Sequence, residues 1–536
     1  MLHNSWTGSR YCFELIIMVS CFGASSLFAE VIRRREYALH PNSLLLAKLR
    51  NPFQERWMNK SVLLQFRRFC DSKKPVVPQF SRYTKPIMDS EVIEPKILNI
   101  AEKEDFKALF TPELNKLRGL FDKNNFEIRM AGGAVRDLLM GIKPSDVDFA
   151  STATPDDMKD MFTRENIRML HKRGEEHGTI TCRIDDKDNF EITTLRIDVL
   201  CDGRRAEVQY TTNWQLDANR RDLTINSLFL DMDGNVIDYF NGIEDCARRQ
   251  IHFVGAAAQR IQEDFLRILR YFRFYGRIAN FEQEHSAATL EAIRTNKDGL
   301  KGVSGERIWT ELRKILVGRF AGAVVKCMLD DCGLHEYLGL QPSISTDDFL
   351  RIDREAAHRK PHHATMLAAL LSDLDALALF HKRAKISNAE KNLAEFIIGE
   401  RDQAAQNKSN VEYFKEILVD RERAPNVDRK KLTGRECVTE LMKYICVSDQ
   451  IFADVNAFQP PEFPIRGTDL MDVGAPTGKG MRVLLQLLYD NWKKNAYSQN
   501  KEELLKAAVG YVEQAEAQAE KERSEAKANR KRKADK

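Results

Sequence analysis

Short β-rich runs bounded by turn signals occupy one stretch of the chain, and helical periodicity fills most of the C-terminal half. Residues 126–131, 147–150, 179–184, 190–194 and 228–230 read as strands, with Asp188-Asn189 and Asp233-Gly234-Asn235 as turns between them. Ahead of them, residues 91–125 place Ile97, Ile100, Phe106 and Leu109 at helical spacing, and Pro112 opens a second helix. From Ala256 onward the segments IQEDFLRILRYFRFYG, GERIWTELRKILV and MLAALLSDLDALALFHKR each read as one amphipathic helix. The pattern predicts an α/β unit over roughly 95–250 joined to an all-α half, an α+β chain as a whole. A Pro-rich break at 459–464 sets off a last helical piece, and residues 512–536 form a charged, Ala-rich helix that frays in solvent.

Composition narrows the class. At 536 residues the chain exceeds one compact domain, and 30% charged with 43% hydrophobic residues is a globular composition. A net charge of +4 implies no nucleic-acid partner by itself, so any basic surface is local. The ten cysteines show no CxxC pair and no metal-ligand spacing, which predicts reduced thiols. The sequence GAPTGKG at 474–480 is not a phosphate loop: only three residues separate Gly474 from Gly478 where four are required, and Gly480 replaces the required Ser or Thr, so it reads as a turn and helix start.

The strongest chemical signal is Met130-Ala131-Gly132-Gly133-Ala134-Val135-Arg136-Asp137, with Asp146-Val147-Asp148 shortly after it. Paired glycines before a helix let the backbone approach a triphosphate, and Arg136 on the first turn can add charge-assisted bonds to phosphate. Residues two apart in a strand project from one face, so Asp146 and Asp148 can reach one metal site, where hard oxygen ligands suit magnesium. Taken singly, a glycine pair is usually a tight turn and a DxD a solvated strand end.

Their joint spacing, GG-x2-RD-x8-DVD, resembles the nucleotidyltransferases with a polymerase β-like fold, specifically the class II CCA-adding enzymes and bacterial poly(A) polymerases. Four later segments are similar to the family's motifs in the family's order: Arg220-Arg221-Asp222 with Ile225-Asn226, Asp238 to Gly242, Glu263-Asp264 with Arg267 and Arg270, and Ser304-Gly305-Glu306-Arg307-Ile308. The resemblance implies a head with a mixed sheet over 91–250, an all-α neck over 251–345, a body over 346–458, a tail over 459–511 and a charged extension over 512–536. It implies Asp146 and Asp148 as catalytic metal ligands for Mg2+. The implied nucleotide-binding set is Gly133, Arg136, Arg220, Arg221, Asp222, Asn226, Asp264, Arg267, Arg270 and Arg273, with Asp238 and Gly242 as a hinge. Partners implied are tRNA, ATP and CTP, with no membrane in the mature form, as a monomer or homodimer. The reaction implied is addition of C, C and A to a tRNA 3′ end; the alternatives are a poly(A) polymerase or a catalytically inactive RNA-binding protein of this fold.

The base-reading pair has its own chemistry. On a helix, Asp264 and Arg267 share a face, and Arg270 and Arg273 continue it. Asp264 can accept from cytosine N4 or adenine N6 while Arg267 donates to cytosine O2/N3 or adenine N1. U and G then meet opposed donors or acceptors at about 1–3 kcal/mol per mismatched group. Without the upstream aspartates the same pair reads as a surface ion pair. Glu191 reads equally as a third carboxylate or a strand-end acid, and His177 as loop-positioning. His362, His363 and Asp373 lack an adjacent His-Asp dyad, which argues against a metal site there.

At the N-terminus, residues 11–29 are apolar but carry Glu14. Residues 58–80 carry Lys60, Arg67, Arg68, Lys73 and Lys74 against one acid, Asp71, as a mitochondrial transit peptide does. Residues 1–90 therefore read as a leader, mitochondrial import ahead of a spliced or disordered leader and of secretion. Internal starts at Met58 or Met88 would supply cytoplasmic and nuclear forms.

Overall fold

Residues Lys96–Asn99 (β1), Ile128–Ala131 (β2), Asp148–Ser151 (β3), Arg168–Leu170 (β4), Thr179–Ile184 (β5), Asp188–Thr194 (β6), Phe229–Leu230 (β9) and Asn235–Asp238 (β10) form one eight-stranded sheet in the order β1-β10-β9-β2-β3-β6-β5-β4. Arg196–Cys201 (β7) and Ala206–Tyr210 (β8) pair apart from it. The computed structural model describes residues 92–170, 175, 178–201, 206–425 and 433–534. The leader and His177 lie outside those residues. Every pairing in the large sheet is antiparallel except β3 with β6, where Asp148 stands opposite Glu191. Turn chemistry fixes the β5–β6 hairpin, because Asp185 and Asp186 both take left-handed conformations that short polar side chains tolerate.

The head helices are Pro112–Lys123 (α1), Gly133–Leu139 (α2), Pro155–Arg164 (α3), Trp214–Asn219 (α4) and Gly242–Arg248 (α5). α1 and α3 both start with Pro at N1 behind a threonine cap, Thr111 accepting from Leu114 N–H and Thr154 from Asp157 N–H. Such a cap is worth about 1 kcal/mol. Their apolar faces (Leu114, Leu117, Phe121; Met158, Met161, Phe162) are buried with Met130, Phe149 and Ile192 from the sheet. A second cluster of Ala131, Ala150, Leu195, Trp214 and Phe229 includes alternate residues of the same strands, as a two-residue side-chain period requires.

The neck carries Ala257–Glu263 (α6), Arg267–Ile278 (α7), Ala287–Asn296 (α8) and Gly305–Ile315 (α9), and helices continue to Ala534. One hydrophobic core runs without a break from Ile100 in the head to Val455 in the body. A separate core unites the Lys479–Lys494 and Lys501–Ala534 helices around Trp492, Tyr489 and Leu504. GAPTGKG is a turn and helix start: Gly478 at φ +67 caps the first of these two helices.

Three helical expectations need correction. Ile97 belongs to edge strand β1, where the segment gains four paired positions on β10 that outweigh its helical spacing. IQEDFLRILRYFRFYG is two helices, broken where Asp264 turns extended at φ −149°, ψ 106°. MLAALLSDLDALALFHKR also breaks, because Asp373 leaves the helix to cap Leu374–Ala384 by accepting from Ala376 N–H. Strands β4, β7, β8 and β10 are not among the strands read from the sequence. Among the described residues, no helix is long and apolar enough to cross a membrane.

Candidate active site

The glycine motif sits where β2 runs into α2. Gly132 holds φ +65°, and a Cβ there would lie 3.1 Å from Arg221 Nη1 and 3.4 Å from Asn226 O, so the turn needs glycine for backbone and for space. Its N–H donates to Leu228 O at 3.0 Å, tying the turn to the segment after the second arginine motif. Gly133 begins α2, with the Arg136 guanidinium 3.6 Å from where its Cβ would be.

Arg136 points inward. It is 3% exposed, donates from Nε to Asp137 Oδ1 at 2.9 Å and from Nη1 to Asn226 Oδ1 at 2.6 Å, and stands 5.1 Å from the Phe274 ring centroid. Its hydrogen-bond partners in this structure lie inside the motif and on Asn226. Burial pulls its pKa down, against the raising effect of Asp137.

Asp148 is the first residue of β3 and exposed, whereas Asp146 lies in the loop before it and accepts from Ser145 Oγ at 3.0 Å. The pair is therefore a strand end plus a loop, not two residues of one strand. The Asp148 carboxyl is pushed above its usual range, first by lost hydration and then by the charges of Glu191 and Asp146, with Arg221 opposing. That mutual repulsion among carboxylates, with Glu191 joining through the parallel β3–β6 register, is the electrostatic setting a divalent cation relieves. Among the described residues no group of three or more His, Cys, Asp or Glu is placed to hold a metal ion.

Arg220 and Arg221 share the carboxylate of Asp217 one helical turn back, at 2.8 Å from Arg220 Nε and 3.0 Å from Arg221 Nη2. Burial would raise the Asp217 pKa, but the two guanidinia outweigh it and hold the group low. Arg221 also donates to Asn226 O at 3.1 Å and lies 4.8 Å from the Phe229 ring. Asp222 accepts from Asn226 Nδ2 at 3.2 Å and from Arg270 Nε at 2.6 Å. Its pKa is likewise lowered against burial, chiefly by Arg270.

The side chains of Asp264 and Arg267 do not pair with each other, although Arg267 N–H donates to Asp264 O at 2.9 Å. Asp264 Oδ2 accepts from Arg307 Nη2 at 2.7 Å and its Oδ1 from Leu266 N–H at 3.1 Å, which starts the next helix. Arg267 donates to Glu263 Oε2 at 2.5 Å, Arg260 O at 3.0 Å and Arg220 O at 2.7 Å. The surface ion-pair reading therefore fails, and so does the shared helix face. Arg273 donates to Glu311 on α9 at 3.2 Å.

Asp238 is buried and accepts from the N–H groups of Phe240, Gly242 and Ile243 at 2.9–3.0 Å, so it organises the start of α5. A Cβ on Gly242 would stand 2.3 Å from Thr224 O, which locks α5 against the second arginine motif. Sequence reasoning missed Asp217 and Arg277. Asp217 was findable from its three- and four-residue offsets to Arg220 and Arg221, whereas Arg277 acts across elements, on Asp137, and leaves no local signal. His363 Nε2 meets Glu390 Oε1 at 2.7 Å, Glu390 also accepts the Trp309 N–H, and Asp373 is a helix cap.

Comparison with known proteins agrees with this geometry. Residues 128–252 match the Poly A polymerase head domain, and residues 286–345 the probable RNA and SrmB- binding site of polymerase A. The mitochondrial CCA tRNA nucleotidyltransferase 1 of Homo sapiens is 47% identical over 407 residues, 75% of this chain and 91% of that protein. The Danio rerio protein of the same name is 46% identical over 405 residues, 75% of this chain and 91% of its own length. The fold matches the Bacillus stearothermophilus CCA-adding enzyme solved in complex with CTP, at a TM-score of 0.60 and 24% identity over 78% of this chain and 100% of that one. With a crowded acidic strand end, a glycine turn and an arginine-carboxylate lattice on a chain this similar to those relatives along nearly their whole length, the protein belongs to the CCA tRNA nucleotidyltransferase family.

Proposed function

We propose that this chain adds C, C and A to the 3′ end of tRNA from CTP and ATP without a nucleic-acid template. The observation that carries the reading is the crowding of Asp148 by Asp146 and Glu191, in a chain 47% identical to a CCA tRNA nucleotidyltransferase across 91% of its length. In each addition the terminal 3′-oxygen forms a bond to the α-phosphorus, the α–β phosphoanhydride bond breaks, and pyrophosphate leaves with the electron pair. Asp146 and Asp148 would hold magnesium, which when bound acidifies the attacking hydroxyl and screens the triphosphate charge.

The protein's own groups do the selecting. Asp264 keeps its side chain about a quarter open (24%) while Arg307 anchors one oxygen, so its remaining lone pairs can accept from an exocyclic amine. Arg267 is held by Glu263 and two carbonyls, so reading a base requires exchanging one of these partners for the base edge. Arg220, Arg221, Asp222 and Asn226 are pre-ordered around Asp217 and Arg270. That leaves little conformational entropy to lose when nucleotide binds. Arg136 acts from behind, through Asn226. Asp238 and Gly242 form the hinge, supported by their fixed start of α5.

Incubating the purified chain with tRNA lacking its terminal triplet and each labelled triphosphate tests the reading. Incorporation of CTP then ATP is expected, and tailing from ATP alone would overturn it. For location, we place the chain in mitochondria on the basic, acid-poor run from Met58, with cytoplasmic and nuclear pools from internal starts. A reporter fused to residues 58–90 should enter mitochondria; diffuse cytosolic signal would remove the assignment.

A further inference from the structure

Six side chains form a closed circuit that begins and ends on α7. Arg270 Nε donates to Asp222 Oδ2 (2.6 Å), and Asn226 Nδ2 donates to Asp222 Oδ1 (3.2 Å). Arg136 Nη1 donates to Asn226 Oδ1 (2.6 Å) and its Nε to Asp137 Oδ1 (2.9 Å). Arg277 Nη2 closes the circuit on Asp137 Oδ2 (2.9 Å). Phe274 lies on the same helix between the two ends, with Arg136, Arg270 and Arg273 5.1, 5.6 and 4.4 Å from its ring. Asp222, Asn226, Arg136 and Asp137 are all buried, whereas Arg277 is half open, its side chain 52% exposed. α7 is thus pinned at two points about two turns apart, once to the second arginine motif and once to the glycine-motif helix α2. Arg267 Nη2 on Arg220 O (2.7 Å) adds a third tie to the second arginine motif, so Arg277 supplies this circuit's tie between α7 and α2.

We infer that Arg277, which belongs to none of the sequence motifs, is a positioning residue that sets nucleotide choice through Asp137. This rests on the reading of α7 as the selecting helix. With Arg277 gone, α7 keeps its ties to the second arginine motif at Arg267 and Arg270 but loses its tie to α2 at Asp137, so the base-reading residues shift relative to the glycine motif while Asp146 and Asp148 are untouched. Because Arg277 is half exposed, the pair is a modest one, and its loss should shift affinities by about two- to fivefold.

The test uses the full chain with Arg277→Gln, Arg277→Lys and Asp137→Asn. Binding of CTP and of UTP is measured by calorimetry, and kcat and KM for the first C addition by single-turnover and steady-state assays. Arg277→Gln should weaken CTP binding and raise KM by that factor, narrow the CTP over UTP preference, and leave kcat within about twofold; Arg277→Lys should recover most of the preference. Combining Arg277→Gln with Asp137→Asn should add nothing beyond Asp137→Asn alone. A preference unchanged in a folded Arg277→Gln variant, or additive effects in the double variant, overturns the inference while leaving the family activity standing. Failure of the unaltered chain to bind CTP would overturn both.

Discussion

At the scale of single residues, charge crowding and charge sharing divide the site. Asp148 is a carboxylate surrounded by like charge, and Asp264 a carboxylate satisfied by Arg307, so their removal should have unlike effects. Asp148→Ala should lower incorporation of every nucleotide by at least about a thousandfold, roughly 4 kcal/mol of barrier, with tRNA affinity kept. Asp264→Ala should retain measurable turnover but admit UTP and GTP; identical behaviour of the two variants in a four-nucleotide assay would sink the division. A pH effect comes from His285, whose Nδ1 contacts Tyr271 Oη at 3.0 Å and whose ring stacks on Tyr275. Burial depresses its pKa from 6.5 to about 4, so the unfolded chain binds the extra proton first as pH falls. The stability it protects is fully present above about pH 6.5 and lost as pH falls toward 4, by at most about 3 kcal/mol. Urea unfolding of the chain and of His285→Gln at pH 7 and pH 5 checks this, since equal pH slopes would contradict it.

Elements show which signals a one-dimensional pattern can hold. The glycine turn, the DxD and strands β2, β3, β5 and β6 were legible because strand period is a local property, although the expected turn at Asp188-Asn189 is the start of β6 and the reversal falls at Asp185-Asp186. The break at Asp264 was not, because helical periodicity continues through it and only the Arg307 contact from α9 draws the aspartate outward. Likewise the inward turn of Arg136 depends on Asn226, ninety residues on, and no spacing rule reaches that far. Edge strand β1 was hidden by charged positions at 94, 96, 102 and 103, which suit an exposed edge as well as a helix. The docking of α5 carries its own test. Gly242→Ala forces a methyl into Thr224 O, a backbone atom, so it should destabilise the fold by about 2–3 kcal/mol and shift the arginine motif. Thermal unfolding and CTP affinity should both fall, and a variant matching the unaltered chain in both would show that the contact relaxes freely.

For the whole molecule, the continuous core from Ile100 to Val455 predicts that head, neck and body unfold together, whereas the tail pair has its own core. Within that pair, buried packing on the last helix extends from Leu504 to Ala519. Removing residues 521–536 should therefore leave the melting temperature within about 2 °C, while removal from 501 onward should strip the cover from Trp492 and Leu488 and promote aggregation. A large loss of stability from the shorter deletion would show that the charged end packs after all. The lone parallel pairing, β3 with β6, has a temporal consequence. As the chain leaves the ribosome, Asp146 and Asp148 emerge about forty residues ahead of Glu191, and the β4–β5 segment, which ends up outside β6 in the sheet, is made before β6 can pair with β3. Until the sixth strand docks, a nascent head has its glycine turn but not its full acidic rim, and so should be unable to grip a nucleotide before its fold is closed.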